Sequence, residues 1–99
     1  MKTRKSMKIV KDIPEELSNY LEALCYETGA RKDLLAFMVE RGMQKQEAFL
    51  EYQKEFVECY SRYEIAKTEL ASEYVTPEFP GAKWNLDFAT HELTIEVAR

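Results

Sequence analysis

The chain has 99 residues, 45% of them hydrophobic and 32% charged, with a formal net charge of -4. That balance describes one small folded domain with a single modest core, and it excludes a disordered chain. No apolar run approaches the ~18 residues of a membrane span, and the N-terminus lacks the apolar stretch of a secretion signal, so a cytoplasmic protein is expected.

The charge is unevenly spread. Residues 1–11 carry Lys2, Arg4, Lys5, Lys8 and Lys11 and no acidic side chain, whereas the rest of the chain holds 9 basic and 18 acidic ones. The body would repel a phosphate backbone, and only this basic segment would attract one. Residues 1–6 read as a flexible basic arm. Met7 and Ile9 then alternate, which makes residues 6–11 a candidate short strand.

A helical hairpin is expected over 12–41. Asp12 is placed to cap its first helix, Pro14 suits the first helical position, and Glu15 and Glu16 suit the positive end of the helix dipole. Ile13, Leu17, Tyr20, Leu21, Leu24 and Cys25 repeat at helical spacing. Gly29 is the expected stop, because glycine most easily takes the left-handed conformation found there. A second short helix then follows from about Arg31, with Leu34, Leu35, Met38 and Val39 as its buried face, and Gly42 ends it.

A long helix is expected over 43–74. Phe49, Tyr52, Phe56, Cys59, Tyr63, Ala66 and Leu70 fall at alternating three- and four-residue steps, which places them on one stripe. Leu50, Val57, Tyr60 and Tyr74 widen that stripe beyond a strict two-stranded seam. Prolines and a glycine make 76–82 a linker. Beyond it the period changes to 2: Trp84, Leu86 and Phe88, then Leu93, Ile95 and Val97, predict a β-hairpin over 83–98 with 88 opposite 93, 86 opposite 95 and 84 opposite 97. The expected fold class is α+β: two short helices, one long helix and a C-terminal two-stranded antiparallel hairpin, with an N-terminal third strand as a candidate addition.

Signals of chemistry are sparse. His91 stands alone at the hairpin turn, with no cysteine or second histidine at ligand spacing, and reads as a solvated turn residue. Glu15 and Glu16 are adjacent on a helix and point in different directions, so they do not form a carboxylate pair. Cys25 and Cys59 lie on apolar helical faces and read as small buried hydrophobes rather than a disulfide. No phosphate-binding glycine loop, nucleophile motif or CxxC occurs. A non-enzymatic protein without metal or cofactor is expected.

The long helix carries a second face. Glu47, Glu51 and Glu55 form an i, i+4 column with Glu58 beside it. Like charges at that spacing cost a helix a few tenths of a kcal/mol per pair. Lys54 and Arg62 relieve this only partly, and the column reads either as a solvated face or as an acidic ridge that, flanked by Tyr60 and Tyr74, docks on the basic surface of another protein. The width of the aromatic stripe adds an expected homodimer.

Two resemblances bear on function. Ile13-Pro14-Glu15-Glu16-Leu17, then Leu21 and Leu24, Glu27-Thr28-Gly29 and Leu34-Leu35, resemble a ribbon-helix-helix domain, the fold of many small bacterial repressors and antitoxins. That resemblance covers about a third of the chain. It implies a dimeric DNA-binding regulator that uses Lys2, Arg4, Lys5, Lys8 and Lys11, with Lys8, Val10 and Asp12 at the outward strand positions. In size, charge and architecture the whole chain looks like the small acidic proteins of bacterial mobile elements, including anti-CRISPR proteins. This second resemblance implies an inhibitor or accessory protein that binds a nuclease or regulator over its nucleic-acid channel, and no residue carries over from it.

Overall fold

The computed structural model describes residues 6–98. The chain runs β1 (Ser6–Asp12), α1 (Glu15–Glu40), α2 (Glu47–Tyr74), β2 (Lys83–Asp87) and β3 (Glu92–Ala98). It is an α+β protein, with two helices and a three-stranded antiparallel sheet in the order β1-β3-β2. The basic positions Lys2, Arg4 and Lys5 lie outside the described residues.

The first correction concerns the helices. The two short helices expected on either side of Gly29 are one helix of 26 residues. Gly29 takes no left-handed conformation, whereas Gly42 does, at φ 67°. A glycine weakens a helix interior by ~1 kcal/mol but does not forbid it. Here Arg31 donates to Glu27 from one turn further on, at 3.0 Å, and ties the helix together across Gly29. The real stop is Gly42. Its N–H reaches the Val39 carbonyl and the Met43 N–H reaches the Met38 carbonyl, the paired bonds of a Schellman cap, with Met38 buried and Met43 half-buried beside it. Asp12 does not start α1 as expected. It ends β1 opposite Glu92, and the Pro14 carbonyl accepts the Ser18 N–H.

The second correction is the hairpin register. Leu86 lies opposite Leu93 and Trp84 opposite Ile95, a slip of two residues from the expected pairing. The expected pairing needs a tight two-residue turn at Thr90-His91, where the favoured turn types demand positive φ that the β-branched Thr90 resists. The observed turn concentrates that demand on His91, at φ 60°. The Asp87 carboxylate accepts the Ala89 and Thr90 N–H groups, and its carbonyl accepts the His91 N–H at 2.7 Å. A slip of two leaves every side chain on the face it had, so the apolar alternation survives the error.

The chain forms two compact units: the described residues up to Tyr20 together with those from Lys67 onward, and Leu21–Ala66. In the first, β3 is central and its Leu93 and Ile95 are wholly buried, with Leu86, Ile13, Leu70 and Val75 buried around them. Each such side chain contributes about 1.5–3 kcal/mol on leaving water. The opposite face of the sheet is polar, and its rows are Lys8-Glu96-Lys83, Val10-Thr94-Asn85 and Asp12-Glu92-Asp87. His91 is half-buried rather than solvated. Its Nδ1 lies 2.8 Å from the hydroxyl of Ser18, which is fully buried, and its carbonyl accepts the Ile13 N–H. This clasp joins the hairpin turn to the first turns of α1.

In the second unit the two helical segments run antiparallel, because Thr28 meets Cys59 at 3.2 Å while Arg31, further along α1, meets Glu55, further back on α2. Leu21, Leu24, Thr28 and Met38 are the buried positions of α1, and Cys59 and Ala66 those of α2. The steps, 3, 4 and 10 residues on α1 and 7 on α2, are sums of threes and fours, the period that keeps one stripe of each helix turned toward its neighbour. Both thiols are free.

Candidate functional site

The aromatic stripe divides along its length. Cys59, Ala66 and Leu70 are buried, Phe49, Phe56 and Tyr63 are half-buried, and Tyr52 is exposed. The Tyr63 hydroxyl is pushed up to about 12, first by burial and then by its hydrogen bond to Cys25. The stripe therefore belongs mainly to the packing of the chain on itself.

The glutamates behave differently. Glu47, Glu51, Glu55 and Glu58 are all exposed on one side of α2, and a shallow depression lined by Glu51, Lys54, Glu55 and Glu58 marks the ridge. Glu55 accepts from Arg31 at 2.8 Å, and Glu27 accepts from the same guanidinium. These two carboxylates hold the Arg31 pKa above its ordinary value, with the Glu27 hydrogen bond the larger cause. Glu47, Glu51 and Glu58 make no ion pair among the described residues. The helix thus carries carboxylates that repel one another at helical spacing and whose charge, among the described residues, Arg31 alone offsets by an ion pair.

The tyrosines expected beside the ridge are not there. Tyr60 lies about 180° around α2 from the middle of the ridge, at 100° per residue. Tyr74 is the last residue of the helix. One exposed apolar side chain does lie on the ridge side, but it comes from α1. Arg31 joins the ridge side of the helix pair and the exposed Leu34 lies about 60° further around α1, whereas Phe37, with Arg41 stacked 4.7 Å from its ring, lies about 120° around and faces outward. Sequence reasoning missed this because the side of α1 that lies beside the ridge is set by the Arg31–Glu55 contact, whose partners are far apart in sequence.

Of the basic residues, Lys8 is exposed on the polar face of the sheet, opposite Glu96, in a depression it shares with Lys83 and Trp84. Lys11 faces the other way. Its ammonium donates to the Tyr74 carbonyl at 2.9 Å and to Glu78 at 2.7 Å. Lys11 is therefore part of the fold, tying β1 to the end of α2.

No group of His, Cys, Asp and Glu among the described residues is placed to hold a metal ion. No helix among them is long and apolar enough to cross a membrane. No family model, curated protein or solved structure matches the chain.

Proposed function

We propose that this protein is a non-enzymatic binding module whose acidic ridge, Glu47, Glu51, Glu55 and Glu58, docks on a basic surface of another protein, in the manner of an inhibitor or accessory protein of a mobile element. The observation that carries this reading is a cost without a local return. Each i, i+4 glutamate pair weakens the helix by ~0.2–0.5 kcal/mol. Among the described residues Glu55 recovers some of that by contact with Arg31, and Lys54 and Arg62, three and four residues from the glutamates, relieve it only partly. A basic partner surface would turn the same carboxylates into an electrostatic guide for association, felt most strongly at low salt. Leu34 supplies apolar contact on the same side.

The test uses Glu51→Lys with Glu58→Lys and leaves the structural Glu55 intact. The double variant keeps the fold: Glu51→Lys relieves its repulsion with Glu47 and Glu55, whereas Glu58→Lys, one turn from Lys54 and Arg62, costs only a few tenths of a kcal/mol per like-charge pair. It loses proteins captured from a bacterial lysate by the wild-type chain, with or without nuclease. Capture that survives both substitutions would end the ridge reading. Capture that disappears with nuclease would favour the nucleic-acid alternative through the basic N-terminal segment.

A further inference from the structure

The flank of α2 turned away from the ridge has a different chemistry. Leu50 is 63% exposed, Val57 57% and Tyr60 48%. With Gln53 between them they form a strip at three- and four-residue steps. The whole side from Phe49 to Tyr63 that carries this strip has no charged residue, on a helix whose opposite side holds the glutamates. Two contacts fix which side of the helix pair it occupies. Arg31 bonds Glu55 on the ridge side, and the Tyr63 hydroxyl bonds Cys25 on the other. Leu50, Val57 and Tyr60 fall on the Cys25 side.

We infer that a second copy of this chain covers the strip, with the two α2 helices packed antiparallel about a two-fold axis and the acidic ridges facing away from each other. Three observations select this occupant. First, a charge-free strip offers nothing to a charged partner, and two acidic chains can meet there without bringing their glutamates together. Second, the strip is complementary to itself. Antiparallel packing at this spacing sets Leu50 against Tyr60 of the second copy and Gln53 against its Val57, and the symmetry repeats both contacts. Third, the area is sufficient. Each large side chain carries roughly 150–250 Å², so Leu50, Val57 and Tyr60, with the exposed parts of Phe49, Phe56 and Tyr63, offer roughly 500 Å² per copy and about 1,000 Å² in all, the lower bound for a specific interface. An interface at that bound belongs in size with the weak, transient ones.

Sedimentation velocity from about 5 to 500 µM brackets a weak association. The wild-type chain passes from monomer to dimer across the range. Leu50→Glu with Val57→Glu stays monomeric throughout, with an unchanged helical circular dichroism signal. Phe37→Glu on the outward side of α1 leaves the dimer intact, and so does the ridge variant Glu51→Lys with Glu58→Lys. The dimer and the ridge therefore stand or fall separately. Mild oxidation supplies a measurement that does not depend on the charged variants folding: an equimolar mixture of Gln53→Cys and Val57→Cys chains, whose thiols the register sets against each other, forms a covalent dimer, and Glu58→Cys on the ridge does not. A wild-type chain that remains monomeric at the highest concentration overturns the inference. So does a dimer that survives the Leu50 and Val57 substitutions, one broken instead by Phe37→Glu, or cross-linking through position 58 rather than between positions 53 and 57.

Discussion

Replacing Gly29 with alanine tests whether α1 is one helix or two. In the structure Gly29 sits well inside a 26-residue helix, without positive φ, and a Cβ built on it meets nothing within 4 Å. The substitution therefore carries no steric cost. It gains the full propensity difference between alanine and glycine in a helix interior, ~0.5–1 kcal/mol. For a chain of this length that raises the melting temperature by about 2–8 °C. Gly42 provides the contrast. A Cβ there is equally free of neighbours, but its φ of 67° is left-handed, so alanine costs ~1 kcal/mol or more. Urea denaturation followed by circular dichroism measures both, and amide exchange at residues 26–33 locates the gain of Gly29→Ala. If Gly29→Ala destabilises the protein as Gly42→Ala does, Gly29 is a helix terminus and the continuous α1 is wrong.

Two further outcomes concern the contacts within each unit. Ser18→Ala leaves the half-buried His91 ring without the hydroxyl at 2.8 Å and lowers stability by ~1–3 kcal/mol, read as a shift in urea midpoint that His91→Ala does not add to in full. The raised pKa of Tyr63 makes stability depend on alkaline pH. Below the unfolded value near 10 the neutral phenol is present in both states and the contribution is complete; it is lost as pH rises through the folded value of about 12, because the unfolded chain ionises first. The loss falls short of the ~1.4 kcal/mol per pKa unit of a fully shielded group, since the ring is only half-buried. Tyr63→Phe flattens the fall in urea midpoint between pH 10 and 12, and an identical fall in wild type and variant would refute the assignment.

What was legible in the sequence was local. The three-and-four spacing of Phe49 to Leu70 made one helix stripe, the two-residue alternation of Trp84 to Val97 made strands, and Gly42 with its flanking methionines ended a helix. Each of these depends on neighbours within a few residues, where backbone geometry dictates which side chains share a face. The glutamate column was visible for the same reason, because its members lie one turn apart on a single helix. Other features needed partners distant in sequence. Whether a helix passes through Gly29 is a balance of about 1 kcal/mol, tipped by the Glu27-Arg31-Glu55 contacts and by the packing of Thr28 on Cys59. The hairpin register was decided by the Asp87 and His91 turn bonds and by β1 pairing along the other edge of β3. Which flank of α2 stays bare was decided by which side α1 covers. Periodicity determines that a stripe exists, and burial then assigns it to core or surface, because burial depends on elements the chain brings together only when it folds.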